Sequence, residues 1–296
     1  MAQDQDQQPT EWVIEDLEID SATLGETWRL LVQRPCNRAA ARGLPWIWLL
    51  HGRNGSIADM RPLLVAIAGA MRAGDLPPAV VAAPDAPDDH RTSWWIDSDH
   101  VPDGAEDIPP GRLLEGSLLG DVLPSVEARY GAPDGPASRV IGGISMGGGA
   151  ALRWLLVRPD LFGSAVLLSP GVFERLPAHG SAMRRRDVVD VEGSIFDSGR
   201  YAERLHYPTL LDAVDPDRPP ARVVVLVGDE EPVRLDPVDR RDLELEAARL
   251  HAALKIHPAF HPSLRVVGGG HEWALWERGI VTALRILAGR EPITES

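Results

Sequence analysis

The chain has 296 residues, with 44 acidic against 30 basic side chains and a formal charge of −14. Its apolar share (44%) and charged share (25%) are those of a folded globular protein, and its acidity weighs against nucleic-acid or anionic-lipid partners. The one cysteine, Cys36, excludes an intramolecular disulfide and a cysteine-built zinc or iron–sulfur site.

Residues 1–10 are polar and rich in Gln and Asp, without the basic and apolar regions of a secretory leader. No 18-residue apolar run follows anywhere, so the expectation is a soluble, cytoplasmic protein that does not enter membranes. Residues 11–35 alternate apolar and polar side chains in two stretches and read as an antiparallel hairpin at a sheet edge. The nearly all-apolar runs 45–50 and 79–83 read as strands covered on both faces, with a helix over 57–72 between them. Residues 113–129 are helical in pattern but contain Pro124, which predicts a kink or a split. A strand at 139–144, a helix at 146–157 and a strand at 164–168 follow. The pattern lapses over 171–221, too long for a simple connection, and that segment reads as a cap or substrate-side insertion. Order returns with a strand at 222–227 and a helix in which Leu243, Ala247, Leu250 and Leu254 share a face. Lys255, the sole lysine, ends that helix with no glycine-rich loop before it. This excludes a P-loop ATPase and leaves no candidate for Schiff-base chemistry. A strand at 263–267 and a helix striped by Trp273, Trp276, Ile280, Leu284 and Leu287 close the chain. Alternating strands and helices imply one α/β domain over 1–296, a mostly parallel sheet with helices on both faces.

The sharpest chemical signal is Gly143-Ile144-Ser145-Met146-Gly147, set between a predicted strand and a predicted helix. Glycines at these positions relieve crowding around a serine held in a strained turn, with its hydroxyl exposed at the positive end of a helix. A serine needs a base, and His271 stands in Gly268-Gly269-Gly270-His271-Glu272-Trp273, at the same carboxyl edge of the sheet. His51 follows a strand on that edge too and is the rival; the other histidines lie in polar loops or beside a helix. The acid that orients the base should come from Asp229-Glu230-Glu231, where three consecutive carboxylates leave the choice open. The order Ser, acid, His is that of α/β-hydrolases. The amides of Met146 and of Arg53, in His51-Gly52-Arg53-Asn54-Gly55, are placed to form an oxyanion hole, which leaves His51 a scaffolding part.

Together with Pro159-Asp160-Leu161-Phe162, these motifs resemble the esterase D-like (Putative esterase) family of α/β-hydrolases over roughly residues 45–287. The resemblance implies an α/β-hydrolase fold, Ser145 as nucleophile, His271 as base, and Met146 and Arg53 as oxyanion amides. It implies Glu231 as the acid, although most members carry Asp there; Asp229 is the second choice. Pro232, which fixes the backbone after Glu231, favours the same order. No metal or cofactor is called for: the acidic residues Asp97, Asp99, Asp103, Glu106 and Asp107 do not follow calcium-loop spacing and read as a solvated loop. Trp94 and Trp95 are candidates to line the substrate side, with core packing as the alternative. The expected activity is a serine carboxylesterase on small to medium esters. An acyltransferase or thioesterase with the same triad is the alternative, and an inactive hydrolase fold used for binding a more distant one. Oligomeric state is not legible.

Overall fold

A computed structural model of the chain describes residues 11–87, 93–97, 113–178, 181, 189–190, 193–194, 198–231 and 242–290. The hairpin β1 (Trp12–Ser21) and β2 (Glu26–Pro35) leads to β3 (Trp46–Leu50), α1 (Ile57–Arg72) and β4 (Val80–Asp85). A helical insertion comes next, α2 (Leu114–Ser117) and α3 (Leu123–Tyr130) joined by a π turn. Then follow β5 (Arg139–Ile144), α4 (Met146–Val157) and β6 (Ser164–Leu168). Within 171–221 the described pieces are the short strands β7 (Val189–Asp190) and β8 (Gly193–Ser194) and the helices α5 (Ser198–Arg204) and α6 (Tyr207–Asp212). The chain closes with β9 (Ala221–Gly228), α7 (Leu243–Ile256), β10 (Phe260–Val267) and α8 (Trp273–Leu287).

Eight strands form one sheet in the order β1-β2-β4-β3-β5-β6-β9-β10. Strand β2 is antiparallel to both neighbours, and the other pairs are parallel. This is the α/β-hydrolase fold. The central strands read as continuous apolar runs because both faces are covered. In β3, Trp46, Trp48 and Leu50 enter one apolar layer, with α4 and α7, while Ile47 and Leu49 enter the other, with α1 and α8. The helical insertion is tied to the sheet through indoles: Trp28 Nε1 donates to Ser117 Oγ (2.7 Å) and Trp46 Nε1 to the Gly131 carbonyl (2.9 Å). Pro124 sits in the first turn of α3, directly after the π turn. A proline cannot donate to the preceding turn, and the wider π turn takes up that discontinuity.

Strands β4 and β10 run longer than the apolar pattern predicts. Pro84 and Asp85 still pair with β2, and Phe260, His261 and Pro262 with β9. Strand β10 forms the sheet edge and is mostly half-buried or exposed, and its start carries His261 and Pro262, which break the apolar run expected of a buried strand.

Strand order positions the site. After β3 the chain crosses by α1 to β4 on one side, and the later β5 pairs on the other side of β3. Helices α1 and α4 therefore leave adjacent strand ends toward opposite faces of the sheet. A crevice opens between the β3 and β5 loops at such a switch point.

At the opposite edge of the sheet, Glu15 of β1 accepts hydrogen bonds from Arg34 of β2 and from the Tyr130 hydroxyl at the end of α3. The Arg34 guanidinium holds the Glu15 carboxyl down to about 2, with Tyr130 adding to the effect. A depressed carboxyl stabilises the fold above its ordinary range and loses that contribution as pH falls through the folded value. Glu15→Gln is thus expected to reduce stability at pH 7 by about 1–3 kcal/mol. In denaturant titrations the gap from wild type should shrink as pH drops below about 4.5; a gap independent of pH would refute the assignment.

Candidate active site

Ser145 joins β5 to α4 with φ 53° and ψ −116°, a left-handed conformation uncommon for a residue with a side chain. Its backbone is held from both sides. The Ser145 N–H donates to the Leu168 carbonyl (2.9 Å), and its own carbonyl accepts from Gly149 (3.0 Å) and Gly171 (2.7 Å). A Cβ at position 147 would collide with the carbonyl oxygens of Leu50 and His51, so only glycine lets α4 start this close to β3. Met146 is the first residue of α4, and first-turn amides of a helix have no partner within it.

His271 lies in the loop between β10 and α8. Its Nε2 is 3.0 Å from Ser145 Oγ and its Nδ1 is 2.6 Å from Glu231 Oε2. With a carboxylate facing Nδ1, the hydrogen is assigned to that nitrogen, which leaves Nε2 to accept from the serine hydroxyl. The histidine side chain is one-fifth exposed, whereas that of Glu231 is wholly buried. Glu231 Oε1 in turn accepts from the Gly228 N–H (3.1 Å) and from the Ser169 hydroxyl. The β9 and β10 loops meet closely: a Cβ at Gly228 would overlap the Gly269 carbonyl. Of the three consecutive acids, Glu231 is the one brought to His271. Asp229 is turned away and exposed, accepting the Gly269 N–H (3.0 Å), and the Glu230 N–H donates to the Gly269 carbonyl (3.0 Å). Asp229 and Glu230 therefore shape the glycine loop that presents the histidine. Pro232 lies outside the described residues.

The loop after β3 lies against the Ser145 turn. A turn closes with the Gly55 N–H on the Gly52 carbonyl (3.0 Å), Asn54 at φ 60°, and Arg53 between them. A Cβ on Gly52 would stand 3.4 Å from Ser145 Cβ, so the loop that carries Arg53 passes close to the serine. His51 is fully buried and serves this loop: Nδ1 bonds the Gly52 carbonyl (2.7 Å) and Nε2 accepts from the Ala86 N–H (3.2 Å). Both ring nitrogens are engaged away from the serine.

Trp94 lines a pocket with Leu152, Arg153, Phe173, Tyr201 and Tyr207. Gly149 and Gly171, whose amides bind the Ser145 carbonyl, form part of the same wall. Burial and nearby Glu174 raise the phenol of Tyr207 above its ordinary range. Trp95 has no exposure; it packs against Trp28, His51 and Trp154 and donates Nε1 to the His51 carbonyl (3.2 Å). Of the acidic-loop residues only Asp97 is described, and it accepts the Gly116 N–H (3.0 Å); Asp99, Asp103, Glu106 and Asp107 lie outside the described residues. Among the described residues no group of three or more metal-ligating side chains converges, and no helix is long and apolar enough to cross a membrane.

Sequence reasoning missed two residues here. Ser169, buried at the end of β6 with φ 43°, accepts from Trp276 Nε1 (2.8 Å). The Trp276 ring meets the His271 ring edge-on at 4.9 Å. The available signals were a serine ending a strand beside the Ser145 strand, and a helix tryptophan, whose N–H usually seeks a partner when buried.

A serine, a histidine and a buried carboxylate in hydrogen-bonded series at the carboxyl edge of this fold make a serine-hydrolase-type site. The sequence itself matches the family model described as Putative esterase over residues 21–287, and the chain belongs to that family. No match to a curated protein was found. Among solved structures, an S-formylglutathione hydrolase from Staphylococcus aureus superposes with a TM-score of 0.69 at 19% identity, covering 94% of this chain and 99% of that one. A fluorophosphonate-binding serine hydrolase of the same organism gives 0.66 at 20% identity, covering 93% and 98%. The enterobactin esterase of Shigella flexneri gives 0.63 at 22%, covering 95% of this chain and 61% of the other. At these identities the likeness is one of fold.

The geometry separates the neighbouring acids. Glu231→Gln is expected to lower ester turnover by about 10²–10⁴, the cost of losing the group that orients a catalytic histidine. Asp229→Asn keeps an oxygen for the Gly269 amide and should stay within about fivefold of wild type. Parallel assays on one good substrate decide it, with folding checked by circular dichroism. The opposite ranking would move the acid to Asp229.

Proposed function

We propose that the protein is a serine carboxylesterase that hydrolyses small to medium carboxylic esters through an acyl-enzyme on Ser145. The observation that carries this reading is the unbroken contact from Ser145 Oγ through His271 to Glu231. Ser145 Oγ attacks the ester carbonyl while His271 Nε2 takes its proton. The carbonyl oxygen becomes an anion, held by the amides of Met146 and Arg53. His271 then passes its proton to the leaving alkoxide and the alcohol departs. Water, deprotonated by the same nitrogen, attacks the acyl-enzyme and frees the acid and Ser145. Glu231 keeps the imidazole oriented and stabilises the imidazolium of each transition state.

The cap reading of 171–221 is supported by Tyr201 of α5 and Tyr207 of α6, which with Trp94 enclose a small pocket against Gly149 and Gly171, the glycines that bind the Ser145 carbonyl. Within the family, Gly269-Gly270-His271-Glu272-Trp273 supports the esterase D-like branch. The Putative esterase model, matching 21–287, and the solved hydrolases of the same fold support ester or related acyl hydrolysis over a purely binding role.

Ser145→Ala should leave the fold intact and reduce turnover of p-nitrophenyl esters by at least about 10⁴. Activity within tenfold of wild type would remove the serine from the mechanism. In the wild type, kcat/KM should fall toward acid pH, because a protonated imidazole cannot take the proton of the serine hydroxyl. A flat profile with chemistry rate-limiting would exclude a histidine base. Product release with and without added alcohol separates hydrolysis from acyl transfer: an unchanged yield of free acid supports the esterase, and an ester product favours the transferase.

A further inference from the structure

Glutamate is a demanding choice of triad acid. It has one more rotatable bond than aspartate, so its carboxylate must be fixed by something beyond the histidine it serves. Here Oε2 meets His271, and Oε1 takes two donors, the Gly228 N–H and the Ser169 hydroxyl. Ser169 itself is held in a left-handed conformation, its N–H on the Leu226 carbonyl (2.7 Å), and is fully buried. A hydroxyl can donate or accept, and its direction decides whether it binds a carboxylate. That direction is set by Trp276. An indole N–H only donates, so Ser169 Oγ accepts from it and its own hydrogen is left for Glu231. The same tryptophan places its ring edge-on to His271 at 4.9 Å. One side chain of α8 thus touches the base directly and reaches the acid through a single hydroxyl.

We propose that Ser169 and Trp276 are positioning residues of the reaction: Trp276 orients the Ser169 hydroxyl, Ser169 fixes the Glu231 carboxylate, and together they hold His271 in line with Ser145. This rests on the serine-hydrolase reading above. Since both side chains are buried, their loss should appear in kcat and not in KM. Since both act along one line of hydrogen bonds, their effects should not multiply.

The test is a double-mutant cycle on the full chain with one p-nitrophenyl ester, with thermal unfolding recorded for each variant. Ser169→Ala is expected to lower kcat about 10- to 100-fold, the scale of a slightly misplaced catalytic group, with KM within about threefold. Trp276→Phe keeps the ring beside His271 and removes only the N–H; it should lower kcat about 3- to 10-fold alone, and by less than about twofold when added to Ser169→Ala. Should Ser169→Ala not fold, Ser169→Gly, which suits the positive φ, takes its place in the cycle. A kcat within twofold of wild type for the Ser169 variant, a loss confined to KM, or fully multiplicative effects would overturn the proposal. Ser145→Ala runs in the same assay: if it retains activity the hydrolase reading fails, whereas an inactive Ser145→Ala beside an unimpaired Ser169 variant defeats the positioning role alone.

Discussion

Glu231 has no solvent contact through its side chain, and a carboxylate stripped of water costs several kcal/mol unless protein donors replace the solvent. The replacement is supplied from three strand ends: the Gly228 amide at the end of β9, the Ser169 hydroxyl after β6 and the His271 ring after β10. Those strands are neighbours in the sheet, so the constellation exists only when β6, β9 and β10 pair in the observed register. The buried carboxylate is thereby a product of the fold as much as a part of the site.

The serine is held by a different logic. It stands at the switch point between β3 and β5, where loops diverge to opposite faces and leave a crevice. Its left-handed backbone carries strain that an isolated turn would relax, and three backbone hydrogen bonds prevent it. On one flank the β3 loop is stiffened by the buried His51, and on the other lies the pocket wall begun by Gly149 and Gly171. Ser145 is thus set by backbone hydrogen bonds, whereas Glu231 and His271 are held through side chains together with the Gly228 amide.

Much of this was legible in the sequence, for identifiable reasons. Strands β3, β5, β6 and β9 are covered on both faces and so appear as bare apolar runs, while the Ser145 elbow and the Gly-rich loop of His271 mark the ends of two strands by composition. The residues by themselves left the acid one of three, and the family resemblance and Pro232 ranked Glu231 before Asp229, because the choice depends on which way the chain turns after Gly228, and that turn is set by the Gly269 carbonyl and amide across the loop. Trp95 and Trp94 are adjacent in sequence with the same left-handed φ, yet one enters the core and the other a pocket wall. No periodicity distinguishes them. Ser169 and Trp276 were hidden for a similar reason: each looks like ordinary packing until the hydrogen bond between them is seen.

Acylation of Ser145, with His271 as base and Glu231 behind it as proposed, can be observed by trapping the intermediate. The protein is quenched in acid during turnover of a slowly deacylated p-nitrophenyl ester, digested, and its peptides weighed. One added acyl group is expected on the peptide containing Ser145, appearing as p-nitrophenol is released and disappearing when substrate is exhausted. Continued ester turnover with no acylated peptide, or with the acyl group on another residue, would contradict it.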